Sequence, residues 1–344
     1  MSMTIFFCIL PIIVLTFYKR NSKTIFYVMV LIFVVLAGFR DPLSEHNDSH
    51  NYFTLFKYGE GYLFKHVEIG YTLINVIVMR LNLGFQWVIL ITSSISIFTL
   101  AWAAKRSEKN EASVLLIYFL LTYLFYNFNA MRQMTGVSFL ILGYTYLKEE
   151  RVNIFLLCVF IGYLFHKSCL IAIACLLFYK QTIVFRPTFV FVSILVSLII
   201  GSLNITPTFL SSIADLFPKY LHSDMDKQIS QSSFSLSKLA LSAFFMYMYL
   251  FLNREDLYIK IVFIGIVLFN LMSFSAGAMR IAYAFTPVQA LLFALPKNNY
   301  ECDNDLEYNN YELYIYGYCL FVYYYMLLNS VGLMNYKFCN GNYF

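Results

Sequence analysis

Charge is scarce in this sequence: Asp, Glu, Lys and Arg make up 12% of its 344 residues, about half the share usual in soluble domains. With 60% apolar residues, a chain of this length has no way to hide its apolar surface as a soluble globule. There is no GxxxxGK[ST] loop, so nothing points to ATP as an energy source. HExxH, GxSxG and metal-ligand spacings are missing too, and neither metal nor cofactor is expected. The seven cysteines (Cys8, Cys158, Cys169, Cys175, Cys302, Cys319, Cys339) form no CxxC or Cys/His cluster. Most lie inside apolar runs, where a thiol serves as a small buried hydrophobe. The ten-residue alternation of an outer-membrane barrel is absent. The first run, residues 3–18, lacks a basic leader region and a small-residue cleavage site, and reads as a retained helix.

What the chain has is a series of apolar runs of about sixteen to twenty residues, near the length a helix needs to cross a core of about 30 Å. Mean hydropathy is +0.68. The pattern predicts an all-α polytopic membrane protein, one integral-membrane domain over residues 1–344 with about twelve transmembrane helices. The expected spans are 3–18, 24–39, 85–104, 111–126, 132–147, 152–165, 168–180, 188–203, 236–252, 259–275, 279–295 and 311–329. Residues 68–83 (EIGYTLINVIVMRLNL) carry Glu68, Asn75 and Arg80, and are compatible with spanning, re-entering or lying on the surface.

Basic connectors set the orientation. They fall at residues 19–23, 105–106, 148–151, 180–186, 254–260 and at Lys297, and the positive-inside rule places them in the cytoplasm. If 68–83 does not fully cross, every connector lies on one side; if it crosses, all but the first are reversed. The first arrangement is expected. It puts both termini outside, makes 40–86 an external loop with a re-entrant or amphipathic segment, and makes 204–235 a second external loop. The net charge of +5 is thus spent on topology, and no nucleic acid partner is implied.

Ionisable groups near membrane depth are costly. Under this topology they gather at the external ends of the spans: Arg40 in GFRDP, Asp48 and Tyr52 in NDSHNYF, and Glu68 and Tyr71 in EIGY. Asn127, Asn129, Arg132 and Gln133 follow in YNFNAMRQ, His166, Lys167 and Ser168 in FHKS, and Arg280 and Tyr283 in MRIAYAF. Each has a plain structural alternative. A lone arginine snorkels to headgroups, asparagines join helices by hydrogen bonds, and Glu68 can simply neutralise an arginine. Taken together, three arginines, two carboxylates and a histidine at one face suit a bulky anionic ligand, because guanidinium recognises phosphate oxygens in a planar fork.

The series GFRDP, NDSHNY, EIGY, NFNAMRQ, FHKS, MRIAYAF and NYKF resembles the EpsG-like family of exopolysaccharide and O-antigen polymerases (the Wzy class), over nearly the whole chain from Arg40 to Phe338. Two positions depart from the family pattern: Asn47 precedes Asp48 in a loop that commonly carries Gly, and Asn335 stands where the tail commonly has Pro. The resemblance implies transfer of a polyprenyl-diphosphate-linked glycan onto a lipid-linked repeat unit, at the outer face of the cytoplasmic membrane. The partners implied are the lipid-linked oligosaccharides and the bilayer, with a flippase and a chain-length regulator. For such chemistry Arg40, Arg132, Arg280 and Lys337 are the candidate diphosphate ligands. Asp48, Glu68 and His166 are the candidate bases, and Tyr52, Tyr71, Asn129, Gln133 and Tyr283 the candidate sugar contacts. An O-antigen ligase would share the cationic outer face and differ in its acceptor. A flippase would prefer charges at mid-span and two similar halves.

Overall fold

The computed structural model describes residues 23–41, 47–180, 185–203, 236–272, 276–296 and 305–329. The regular structure among them is helical, with one isolated bridge between Lys109 and Pro296. Together with the apolar composition this makes the protein an all-α membrane protein. The expected span 3–18, the loop 204–235 and Lys337 lie outside the described residues. The described residues group into two compact units, one drawn from Met1–Leu170 and Gln289–Phe344, the other from Ile171–Val288.

In the first unit the chain runs through α1 (Lys23–Gly38), α2 (Asn47–Lys57), α3 (Glu60–His66), α4 (Ile69–Arg80), α5 (Phe85–Arg106) and α6 (Glu111–Tyr118). A π turn (Phe119–Tyr123) leads into α7 (Leu124–Asn129), α8 (Met131–Lys148) and α9 (Val152–Phe165). The long helix α5 is central, with α1, α4, α6 and α8 packed on it and α9 packed on α8. At 22 residues, about 33 Å, α5 is long and apolar enough to cross a membrane unaided. Helices α1 and α9 are equally apolar but have 16 and 14 residues. Helix α4 has 12, or about 18 Å. It ends at Asn82, which takes a positive φ of 55°. Along α4, Ile69, Leu73 and Ile77 are exposed while Tyr71, Thr72, Asn75, Val76 and Val78 are buried, an apolar outer stripe with a mixed inner face.

Charge sorts the two ends of this bundle. At one end Arg106, on α5, binds both carboxylate oxygens of Glu149 beyond α8 and lies 3.8 Å from the centre of the Tyr146 ring. Lys105 donates to the Tyr27 hydroxyl in the first turn of α1 (2.8 Å). Two of the basic connectors read from the sequence, 105–106 and 148–151, therefore meet. At the other end the Gln86 amide, at the start of α5, donates to the carbonyls of Gly38 and Arg40, at the end of α1.

Sequence reading and structure differ at two places. The run 168–180 forms a 3-10 helix (Lys167–Leu177) in place of an α-helix. The run 279–295 is broken into α13 (Ala276–Ala282), a 3-10 turn (Thr286–Val288) and α14 (Gln289–Phe293). Pro287 explains the break: it has no N–H to give, and its ring collides with the carbonyl four residues back, at Tyr283. The backbone shifts to i→i−3 bonds at Ala284 and Phe285. In the second unit α10 (Pro187–Ser202), α11 (Leu236–Tyr249) and α12 (Leu257–Leu271) pack together, and the Asn270 amide joins them through Ser197 and Ser242, 3.1 Å from each hydroxyl. The first unit also contains α15 (Asp305–Asn329), which packs on the π turn.

Helices α8 and α9 approach at a pair of glycines. A Cβ on Gly162 would lie 2.9 Å from the Gly136 carbonyl oxygen, and one on Gly136 2.7 Å from that of Gly162. Gly162→Ala is expected to lower stability by about 1–3 kcal/mol, since backbone on both sides must move. Gly317→Ala, which meets nothing within 4 Å, should be neutral or slightly stabilising. Thermal unfolding of the purified chain in detergent checks both.

Candidate functional site

The end of the first unit away from the Arg106 cluster is assembled by close backbone contacts. Besides the glycine crossing of α8 and α9, Gly70 brings the start of α4 against the end of α9; a Cβ there would lie 2.8 Å from the Leu164 carbonyl oxygen. An apolar cluster of Tyr52, Tyr71, Val78, Phe85, Val88, Ile89, Met131 and Phe165 fills the space so formed. The chemistry-bearing residues are neighbours of this cluster in the chain: Arg132 follows Met131, His166 follows Phe165, and Glu68 precedes Tyr71 by one turn. Burying the cluster fixes where these polar groups emerge.

Arg132 Nη1 donates to Glu68 Oε2 at 2.6 Å, with the two side chains 17% and 13% exposed. The guanidinium packs 5.1 Å from the Tyr52 ring centre and 5.8 Å from that of Tyr71, and the two rings tilt against each other at 5.7 Å. Arg132 Nε is buried without a hydrogen-bond partner among the described residues. A second Arg–Glu pair nearby is differently made: Arg80 uses Nε and Nη2 on the two oxygens of Glu60, 3.0 Å each, at an exposed position. That fork satisfies both partners and holds the Glu60 carboxyl below its usual range. The Arg132 pair is buried, single-donor and incomplete.

Arg40 is 1% exposed. Its Nη1 donates to the Ala37 carbonyl (2.7 Å), Nη2 lies 3.7 Å from Met131 Sδ, and the Phe128 ring centre is 5.7 Å away. Tyr71 is buried beside the Arg132 guanidinium and within the field of both arginines. Burial, reinforced by the neighbouring Tyr52, raises its phenol above the ordinary range more than the two arginines lower it, so the hydroxyl keeps its proton.

Beside Arg132 on α8, Gln133 donates to Ser168 Oγ (3.3 Å), which in turn lies 2.7 Å from His166 Nδ1. The Ser168 backbone N–H also points at Nδ1 (3.3 Å). A nitrogen that accepts from a backbone N–H carries no proton, so neutral His166 carries its proton on Nε2. Cys169, in the same turn, is buried against the Gly136–Gly162 crossing. Lys167 is exposed.

Other sequence candidates have plainer surroundings. Asn127 is buried and bonded to Tyr118 (2.7 Å) and Ser96 (3.2 Å), a helix-to-helix link. Asn129 Oδ1 is buried with no partner among the described residues. Asp48 sits in the first turn of α2, where a carboxylate favours the helix dipole, one turn before the buried Tyr52. Arg280, on α13, and the buried Tyr283 belong to the second unit. The described residues include no group of three or more His, Cys, Asp or Glu fit to hold a metal ion.

The EpsG family model matches residues 23–338. The chain belongs to the EpsG family. This is a family of exopolysaccharide and O-antigen polymerase-like proteins, associated with glycosyltransferase-like chemistry. No curated protein and no solved structure matches the chain. Within this EpsG-family protein, Arg40, Arg132, Glu68, Tyr52, Tyr71, Gln133 and His166 are brought to one end of the first unit. Gln86 and Ser168 had no assigned role in the sequence reading. A glutamine just inside a helix start and a serine in a three-residue turn carry little signal until the carbonyls and the imidazole they serve are placed.

Arg132→Met leaves the part-buried Glu68 without its cation and is expected to cost about 2 kcal/mol of stability. Adding Glu68→Gln should recover most of that loss. Detergent thermal melts of the single and double variants check the coupling.

Proposed function

We propose that this protein is a polysaccharide polymerase of the cytoplasmic membrane. It transfers a polyprenyl-diphosphate-linked glycan onto a lipid-linked repeat unit at the outer face. The observation that carries this reading is the buried, incompletely satisfied Arg132 beside Glu68, Tyr52 and Tyr71, in a chain of the EpsG family. Glycosyl transfer must neutralise a leaving diphosphate and remove a proton from the acceptor. The acceptor oxygen bonds to the anomeric carbon, the carbon–oxygen bond to diphosphate breaks, and its electron pair leaves with the phosphate. Arg132, backed by Arg40, meets that growing charge. The proton passes to Asp48, Glu68 or His166. Tyr52 and Tyr71 hold the guanidinium, while Asn129 and Gln133 meet sugar hydroxyls. The lipid diphosphate is the activated donor, which accords with a sequence devoid of a nucleotide loop.

The proposed topology has twelve spans, with 68–83 on the outer face. Two features support it: α4 is about 18 Å long, short of a bilayer core, and the basic connectors 105–106 and 148–151 meet at the end of the first unit opposite Arg132. Reporter fusions after Leu83 and Ala104 should read outside and inside respectively; an inward-facing reporter at Leu83 removes the topology.

Deleting the gene should leave single repeat units on the surface glycan in a polysaccharide gel, whereas loss of a ligase leaves unattached polymer and loss of a flippase leaves none. Arg132→Ala should cut polymer roughly hundredfold with normal protein level. Full-length polymer from that variant means that Arg132 does not serve the diphosphate.

A further inference from the structure

Glu68 and Arg132 form the least settled polar contact of the site. The guanidinium offers five N–H groups, of which Nη1 meets Glu68 and Nε has no hydrogen-bond partner among the described residues, although only 17% of the side chain is exposed. Tyr52 and Tyr71 add ring contacts. The Arg80–Glu60 fork shows what a finished pair looks like in this same helix. Glu68 is also unencumbered at its own end. It is the N-cap residue of α4, with extended φ and ψ of −63° and 141°, and its carboxylate makes no capping hydrogen bond. Among the described residues its carboxylate is hydrogen-bonded to Arg132, so swinging the side chain away leaves the backbone bond from Thr72 to the Glu68 carbonyl, and with it the helix turn, in place.

We propose that Glu68 is a displaceable stand-in for the substrate's diphosphate: it occupies Arg132 when the site is empty and is exchanged for phosphate oxygens when the lipid-linked donor binds. This rests on the polymerase reading and deepens it. A diphosphate presents more oxygens than one carboxylate and reaches the N–H that Glu68 leaves unmet. Once displaced, the Glu68 carboxylate is released from its cation and is available to the acceptor. It then takes the acceptor hydroxyl's proton as that oxygen bonds to the anomeric carbon and the diphosphate departs with the electron pair. Product release lets the carboxylate lose that proton and return to Arg132. The ion pair thereby keeps the carboxylate occupied until donor is bound.

The test is binding of farnesyl diphosphate to the full chain in detergent, with polymer formation in the host measured alongside. Glu68→Gln keeps the hydrogen bond and removes the competing charge. It is expected to tighten binding about tenfold while cutting polymer at least about tenfold. Glu60→Gln, at the exposed fork, should alter neither. Unchanged or weaker binding by Glu68→Gln overturns the stand-in role, and so does undiminished polymer. If Glu68→Gln/Arg132→Ala binds as tightly as Glu68→Gln alone, the diphosphate does not use Arg132, and the parent reading falls with this one.

Discussion

An arginine that is five-sixths buried needs compensation for the hydration it has lost, and much of the first unit is arranged around providing it. Arg132 is held at the start of α8 by Met131, which belongs to the apolar cluster shared by α2, α4, α5, α8 and α9. Tyr52 and Tyr71 cover the guanidinium with ring faces, whose negative quadrupole favours a cation. Glu68 supplies the countercharge at 2.6 Å. Without the cluster, each of these groups would be solvated separately and none would have reason to meet. The apolar burial decides the positions, and the electrostatics then decide the pairing.

The arrangement is affordable because the backbones come unusually close. Gly70, Gly136 and Gly162 let α4, α8 and α9 touch with no side chain between them. Small residues are the usual means of close helix approach where apolar surroundings give helices little reason to associate. The same contacts bring Gln133, Ser168 and His166 within hydrogen-bond reach of one another, Gln133 to Ser168 and Ser168 to His166. The π turn at Phe119–Tyr123 adds another local departure from the α-helix in the same unit. Its Tyr123 hydroxyl reaches the Phe33 carbonyl of α1, and Phe119 and Tyr123 both stack on Phe33.

The two Arg–Glu pairs at opposite ends of α4, Glu68 with Arg132 of α8 and Arg80 with Glu60 of α3, show why pair geometry matters more than pair identity. Arg80 and Glu60 meet as a complete fork at the surface, where solvent screens them and little stability is at stake. Arg132 and Glu68 meet through one N–H in a place that excludes most water. Such a pair is poor evidence for stability but good evidence for a role. Membership of the EpsG family gives that role a chemical direction, toward sugar transfer in polysaccharide synthesis.

Much of this was legible in the sequence. The shortage of charge and the length of the apolar runs determine an all-α membrane protein, because backbone groups in lipid must be satisfied within helices. The GFRDP-to-NYKF series pointed to the family, and most described apolar runs became helices near their expected limits. The breaks at Pro287 and at Lys167–Leu177 were not read, since hydropathy reports apolar content and is blind to helix type. Listing Arg132, Glu68, Tyr52, Tyr71 and His166 required only the sequence. Which of them pair, that Arg40 is sealed while Arg80 is not, and that Ser168 sets the histidine tautomer, all depend on distances between residues as far as 91 positions apart. Those distances follow from how glycine-lined helices close over a common apolar core, a property of packing in three dimensions that no single stretch of the chain contains.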